Sequence, residues 1–173
     1  MEFNEKTVNQ SYIYKGKILN LRRDDILLPD GRPSVREVIE HSGGSSVLCV
    51  KDGKVAMVQQ LRYPSGEVLY EIPAGKLNKG EKPDLTAIRE LEEECGIIAK
   101  RVELMYKFYP TPAYDEEIIY IYRAYDFVEG SAKLDEGEFL TFEWMDFDTL
   151  KSMIEMGEIK DAKTLIALLS ILK

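Results

Sequence analysis

The chain has 173 residues, a formal net charge of −8, 45% hydrophobic residues and 31% charged residues, which is the composition of an ordinary globular domain. The acidic balance and the lack of a basic tract disfavour binding to nucleic acid or to an anionic membrane surface. Residues 1–6 contain no apolar signal-peptide core, and the apolar run at residues 165–172 is too short to span a bilayer, so we expect a cytoplasmic protein.

Alternation, apolar runs and turn residues predict runs of strands with few helices, which suits an α+β or mixed-sheet domain. Asp52-Gly53 between two apolar segments is typical of a β-hairpin turn. Strands are predicted at residues 12–14, 18–21, 34–39, 45–50, 55–60, 69–72, 102–109, 118–125 and 139–145. The run at 118–125 is almost entirely apolar, which favours an inner strand. Helices are predicted at residues 83–95, 148–156 and 161–172, the last two starting near a capping Asp148 and Asp161.

The helix predicted at residues 83–95 carries an unusual density of acids. Pro83 suits a first helical turn and Gly96 suits the left-handed position after the last turn. An apolar stripe at three- and four-residue steps is expected to face the core, and it contains Leu85, Ile88, Leu91 and Cys95. Glu90, Glu93 and Glu94 are then expected on the outward face. Like charges at this spacing repel by a few tenths of a kcal/mol per pair, which a hard divalent cation would offset.

The segment around this helix resembles the signature of the Nudix hydrolase superfamily. Gly75 is followed by five residues, Glu81, seven residues, and then Arg-Glu-Leu-x-Glu-Glu-x-Gly-Ile at residues 89–97. The resemblance implies an α+β fold, an α/β/α sandwich around a mixed central sheet, here preceded by an N-terminal antiparallel strand region. The chain length favours a single domain over residues 1–173. Within it we expect N-terminal strands to about residue 42, which could form a dimer, and a catalytic core over residues 43–173.

The same resemblance implies Mg²⁺- or Mn²⁺-dependent hydrolysis of a nucleoside diphosphate linked to another group. It assigns metal binding to Glu90, Glu93, Glu94 and the carbonyl oxygen of Ala74, with Glu93 also supporting catalysis. Glu81 and Arg89 are expected to form an ion pair that orients the loop and the helix.

A second segment, Phe-Tyr-Pro-Thr-Pro-Ala-Tyr-Asp-Glu-Glu at residues 108–117, resembles the ADP-ribose pyrophosphatase branch of the superfamily. Pro112 lies 15 residues after Ile97, as that branch requires of a substrate-binding proline. The branch continues with Gly-Phe, where this chain has Ala-Tyr at 113–114. By spacing, Glu117 takes the place of the catalytic base, and Glu116 is a rival one residue away.

Further substrate contacts are expected from two arginines, because a guanidinium can bind phosphate through two parallel hydrogen bonds. They are Arg62, at the end of a strand, and Arg36.

The branch commonly forms homodimers through its N-terminal strands, where Tyr12 and Tyr14 either stack on adenine or are ordinary strand aromatics. His41 is the only histidine, which excludes a histidine metal cluster, and is expected to be a strand-end residue packing near the loop rather than a catalytic base.

The sequence therefore predicts a hydrolase that converts ADP-ribose to AMP and ribose 5-phosphate. Two alternatives remain open. The substrate could be another nucleoside diphosphate derivative, such as GDP-mannose or a dinucleotide. The domain could instead be a non-catalytic sensor of ADP-ribose-like ligands, although such domains usually lose the motif carboxylates, and this chain has all of them.

Overall fold

The computed structural model of the protein describes residues 3–172. The backbone divides into two compact units. One contains the chain up to Gly43 together with Tyr109–Ile118, and the other contains Gly44–Phe108 and the chain from Ile119 onward. The described chain forms eleven strands and three helices, which confirms the predicted α+β class.

The first unit contains a three-stranded antiparallel sheet in the order β1–β2–β3. The strands are β1 (Lys6–Lys15), β2 (Leu19–Leu27) and β3 (Pro33–His41). β2 and β3 pair without a register shift, from Leu19 opposite His41 to the other end of both strands. The predicted N-terminal antiparallel region is therefore present, with strands longer than the apolar pieces because cross-strand pairing also includes their polar residues.

The second unit contains a mixed four-stranded sheet in the order β8–β4–β10–β9. Its strands are β4 (Gly44–Leu48), β8 (Ala74–Lys76), β9 (Ile97–Phe108) and β10 (Ile119–Glu129). β10 pairs parallel to β4 and antiparallel to β9, which makes it an inner strand as predicted.

A second sheet of the same unit is antiparallel and runs in the order β11–β6–β5, with β7 also paired to β6. It contains β5 (Val50–Lys51), β6 (Lys54–Arg62), β7 (Glu67–Glu71) and β11 (Leu140–Asp146).

The Asp-Gly hairpin is present, but one of its predicted strands was wrong in extent. Asp52 and Gly53 have φ values of 48° and 74°, as a tight two-residue hairpin turn requires, and they join β5 to β6. Only Val50–Lys51 pairs with β6 next to this turn, whereas β4 belongs to the mixed sheet and pairs with β8 and β10. The apolar run was continuous in sequence, but the chain changes sheet within it.

Three helices complete the second unit: α1 (Pro83–Cys95), α2 (Phe147–Glu155) and α3 (Ala162–Leu169). The carboxylate of Asp161 accepts a hydrogen bond from the Thr164 N–H at the start of α3, which confirms the predicted cap. The cap predicted for α2 was wrong by two residues. Asp146 accepts from the backbone N–H three residues on, whereas Asp148 lies inside the first turn.

The core consists of two hydrophobic clusters on opposite sides of the strands. Successive residues of β4 enter different clusters, Val47 the first and Leu48 the second, because side chains alternate along a strand. α1 contributes Leu91 to the first cluster, whereas α2 and α3 contribute Leu150 and Leu168 to the second. Helices thus cover both faces, as predicted for an α/β/α sandwich.

The two cysteines lie in the interior. Cys49 and Cys95 are buried free thiols, and burial raises the pKa of the Cys49 thiol to about 12. Among residues 3–172, no helix is both long enough and apolar enough to cross a membrane.

Candidate active site

The buried face of α1 differs from the one predicted. Glu90 and Glu94 are 7% and 4% exposed, whereas Leu85, which was expected to face the core, is 53% exposed. The predicted outward acidic face is therefore wrong for these two carboxylates. Glu90 and Glu94 are four positions apart and therefore share one face of α1, and the buried Ala87 and Leu91 lie three positions before each of them, respectively. Burying two carboxylates is costly, so their position needs a compensating partner.

Strand β8 forms the surface against which these carboxylates lie. The Ala74 N–H donates to Glu94 Oε2 over 3.0 Å. Gly75 faces Glu90 so closely that a Cβ atom at this position would lie 1.8 Å from Glu90 Oε1. The absence of a side chain at Gly75 thus leaves the space that the Glu90 carboxylate fills.

Burial changes the acidity of both groups. It raises the pKa of Glu90 to about 7, even though the Arg89 charge opposes the shift. It raises the pKa of Glu94 to about 8, against the hydrogen bond from Ala74. A group held in this way binds either a proton or a cation more readily than an exposed carboxylate does.

Arg89 connects the loop before α1 to the helix itself. Its Nε donates to Glu81 Oε1 over 3.0 Å, and its Nη1 donates to Glu93 Oε2 over 2.7 Å. The same Nη1 lies 2.7 Å from Glu90 Oε1. The hydrogen bond from Arg89 lowers the pKa of Glu81 to about 2. The predicted Glu81–Arg89 ion pair is therefore present, and Arg89 spans three motif carboxylates.

The donor chemistry of this segment fits a hard divalent cation. Carboxylate oxygens are ligands that Mg²⁺ and Mn²⁺ prefer, and the Glu90 and Glu94 carboxylates lie against Gly75 and the Ala74 N–H, respectively. Across residues 3–172, no group of three or more His, Cys, Asp or Glu side chains is gathered tightly enough to hold a metal ion as it stands. Glu90 and Glu93 each have one carboxylate oxygen 2.7 Å from Arg89 Nη1, so the arginine competes with a cation for these two oxygens.

Arg62, predicted to contact phosphate, ends β6 and forms a bidentate ion pair with Glu71. Both hydrogen bonds measure 2.6 Å, and the Lys163 ammonium also contacts this carboxylate. Burial alone would raise the pKa of Glu71, but the two cations lower it overall. The sequence interpretation missed Glu71 and Lys163. An acid within the apolar run at residues 69–72 was the available signal.

The loop at residues 109–118 forms a cavity of about 370 Å³ with the strands of the first unit. This cavity brings together Arg36 and Pro112, two of the predicted substrate-binding residues, and Arg22 also lines it. The Arg36 guanidinium contacts the Glu5 carboxylate. The substrate roles of Arg36, Pro112 and Arg62 stay predictions.

Glu116 and Glu117, the rival candidates for the base, have different partners. Arg22 Nη1 lies 3.2 Å from Glu116 Oε2, whereas His41 Nδ1 lies 2.9 Å from Glu117 Oε1. The Glu117 carboxylate is also the less exposed of the two, at 22% against 48%. His41 ends β3, as expected of a strand-end residue near the loop.

The two tyrosines suggested for adenine stacking both lie on β1. The Tyr12 hydroxyl donates to Glu40 Oε1 over 3.2 Å, and both rings are exposed. Every residue of β1 is exposed. The stacking role of Tyr12 and Tyr14 stays a prediction.

Comparisons with known proteins agree with this fold and motif. A model of the NUDIX domain matches residues 41–168, and a model of the nucleoside diphosphate sugar hydrolase N-terminal domain matches residues 5–39. The chain belongs to the Nudix family and is a Nudix hydrolase. Members of this family generally depend on divalent metals and act on small nucleotides.

Individual relatives are similar over nearly the whole chain. An ADP-ribose pyrophosphatase of Bacillus subtilis is 41% identical over 95% of this chain and 90% of its own length. A methanol dehydrogenase activator of Bacillus methanolicus is 40% identical over 95% and 91%, respectively. The crystal structure of an ADP compounds hydrolase matches with a TM-score of 0.83 at 19% identity, over 95% of this chain and 90% of that one, which shows the shared fold.

Proposed function

We propose that the chain hydrolyses the pyrophosphate bond of ADP-ribose to AMP and ribose 5-phosphate, using Mg²⁺ or Mn²⁺. The observation that carries the proposal is the burial of Glu90 and Glu94 against Ala74 and Gly75, on a helix with the full Nudix motif. The choice of substrate is supported by the 41% identity with the B. subtilis ADP-ribose pyrophosphatase.

The chain's own residues have separate tasks in this mechanism. Glu90 and Glu94, with the Ala74 carbonyl, would hold the cation, which when bound would neutralise charge on the diphosphate and lower the pKa of a water molecule. Glu117 takes a proton from the attacking water. The water oxygen bonds to one phosphorus, the bridging P–O bond breaks, and its electron pair leaves with the other phosphate. Arg62 and Arg36 bind phosphate oxygens.

Arg89 and Glu93 support this arrangement from the same helix. The Arg89 guanidinium contacts Glu81, Glu90 and Glu93 together, so it sets the direction of the carboxylates before the cation binds. Glu93, which shares this arginine, is the third motif carboxylate that would be available to the cation.

A substrate panel tests the proposal directly. ADP-ribose, GDP-mannose and NAD⁺ are incubated with the pure protein and Mg²⁺ or Mn²⁺ in ¹⁸O-water, and the products are identified by mass spectrometry. NAD⁺ belongs in the panel because one relative is named as an activator of a dehydrogenase, a class that uses dinucleotides. We expect AMP and ribose 5-phosphate from ADP-ribose, with ¹⁸O on one product. Turnover of another substrate alone would contradict the assignment.

GDP-mannose is the second candidate, because a GDP-mannose pyrophosphatase of Yersinia pestis is 27% identical over 78% of the chain. The same panel separates it from ADP-ribose.

The role of the buried carboxylates has its own test. Glu94→Gln should lower kcat by about 100-fold or more, because the amide cannot supply a negative oxygen to the cation. Glu92→Gln is the matched control, since Glu92 lies on the same helix outside the motif positions and is not buried. Near-normal turnover of folded Glu94→Gln would reject Glu94 as a principal metal ligand.

A homodimer is also part of the proposal. β1 is an edge strand with exposed apolar side chains, including Val8, Ile13 and Tyr14, and such edges favour association with another strand. Light scattering coupled to size exclusion should give twice the chain mass of 19.8 kDa.

A further inference from the structure

His41 and Glu117 meet because two backbone segments run level with each other. Ile39 of β3 forms an isolated parallel bridge with Asp115 of the loop. The Ile39 N–H donates to the Tyr114 carbonyl over 2.8 Å, and the Glu116 N–H donates to the Ile39 carbonyl over 3.1 Å. Side chains two residues along a strand return to the same side. His41 lies two residues after Ile39 and Glu117 two residues after Asp115, so both side chains reach the same side at the same level.

Further hydrogen bonds hold both members of this pair. The Glu117 N–H donates to Asp115 Oδ1 over 2.8 Å, which fixes the backbone from which the carboxylate extends. The Gly43 N–H lies 3.1 Å from His41 Nδ1 and donates to it in the tautomer in which Nδ1 carries no proton, whereas a protonated Nδ1 donates to Glu117 instead. The side chains of His41 and Glu117 are only 17% and 22% exposed. The 2.9 Å separation of Nδ1 and Oε1 is therefore part of a built arrangement, with backbone contacts on both sides.

The chemistry of the contact allows one proton between the two atoms. With the proton on Nδ1, His41 donates to the Glu117 carboxylate, and the second carboxylate oxygen keeps its lone pairs for a water molecule. When the second oxygen takes a proton from water, Oε1 becomes the carbonyl oxygen of the carboxyl group and still accepts a hydrogen bond from Nδ1–H. His41 can therefore hold Glu117 before and after Glu117 has accepted a proton.

We propose that His41 is a positioning residue that keeps the Glu117 side chain in place in both of its protonation states. This inference rests on the proposed role of Glu117 as the base. His41 acts through Glu117 and need not touch the substrate. The neighbouring Glu116, held by Arg22, takes no part in this pair.

Kinetics with ADP-ribose provide the first test. His41→Ala should lower kcat by about 10- to 100-fold with KM little changed, as for other residues that orient a reacting group. His41→Asn should recover most of this loss, because its carboxamide can reach the position of Nδ1. In the Glu117→Gln background, His41→Ala should cause no further loss, because the residue that it positions no longer acts. Equal losses in both backgrounds would show a merely structural role and overturn the inference.

The solitary histidine permits a second readout that does not depend on activity. The chain contains one histidine, so the ring ¹⁵N signals in an NMR spectrum belong to His41 without assignment. Glu117→Gln should shift the Nδ1 signal, and the matched control Glu116→Gln should leave it in place. A shift that is equal in both variants would overturn the inference.

The outcomes separate the inference from the proposed function. If Glu117→Gln keeps the wild-type kcat, the role of Glu117 fails and this inference fails with it. If Glu117→Gln is slow and folded His41→Ala is not, only the inference about His41 fails.

Discussion

Replacing Gly75 by alanine should disable the site while leaving the chain folded. The new Cβ would lie 1.8 Å from Glu90 Oε1 and 2.0 Å from its Cδ, whereas ordinary contacts need about 3.5 Å. The carboxylate must therefore retreat by about 1.5 Å. A misplacement of about 1 Å at a reacting centre can cost about 100-fold in rate, which corresponds to ~2.7 kcal/mol of transition-state stabilisation.

The fold should tolerate this change for two reasons. The atoms that collide with the new methyl group belong to the end of a flexible glutamate, which can rotate away. Replacing glycine by alanine also reduces the entropy of the unfolded chain, which is worth about 0.4–1 kcal/mol. We therefore expect the melting temperature to change by no more than about 4 °C.

The assay is steady-state hydrolysis of ADP-ribose over a range of Mg²⁺ concentrations, with melting curves of the same samples. Gly44→Ala is the matched control, because Gly44 lies in the strand paired with β8 and its new Cβ would meet Ile119 Cδ1 at 3.1 Å rather than Glu90. In a Glu90→Asp background, Gly75→Ala should cost much less, since aspartate is one methylene shorter. A folded Gly75→Ala protein with wild-type kcat/KM and metal response would refute the reasoning.

Three further predictions concern stability, measured by urea unfolding. Glu71→Gln should destabilise the fold by about 3 kcal/mol at pH 7, the low end for a broken buried ion pair because Arg62 is 42% exposed. The folded state lowers the pKa of Glu71, so the contribution of this carboxylate to the free energy of unfolding is fully present above its ordinary pKa of 4.5. The difference in stability between wild type and Glu71→Gln should therefore shrink as the pH falls below 4.5. A difference that stays constant with pH would contradict this explanation. Thr164→Val should lower the free energy of unfolding by about 1–3 kcal/mol. The Ile72 N–H donates to the Thr164 hydroxyl over 2.9 Å, and valine removes this acceptor. Thr164→Ser keeps a hydroxyl and should lower the free energy of unfolding clearly less. Gly53→Ala should lower the free energy of unfolding by about 1–2 kcal/mol, because φ at this position is +74°, a value that an L-residue other than glycine rarely adopts. No atom lies within 4 Å of the new methyl group, so a steric clash does not contribute. An unchanged stability would mean that the turn relaxes.

Local signals in the sequence predicted several elements correctly. Pro83 begins α1, and Gly96, with φ 68°, ends it. Asp52 and Gly53 form the hairpin turn. These features depend on the backbone preferences of single residues, so a short window of sequence contains their cause.

Other predictions failed because they depended on distant residues. The run at residues 45–50 does not pair as a whole with β6, since the strand β4 pairs with β10, more than seventy residues later in sequence. The cap of α2 moved to Asp146 because β11 continues to that residue and the helix begins directly after it. Neither the pairing of β4 with β10 nor the residue at which β11 ends can be predicted from the hydrophobic pattern of the segment itself.

By itself the sequence determined the ends of the central helix, through the backbone preferences of Pro83 and Gly96, and the resemblance carried by its motif predicted the family and the ion pair between Glu81 and Arg89. Only the tertiary structure decided that Glu90 and Glu94 are buried, and that Glu116 and Glu117 turn to Arg22 and His41, respectively. Burial and partner choice depend on which strand or loop lies opposite a side chain, and that is set by packing between segments far apart in the chain.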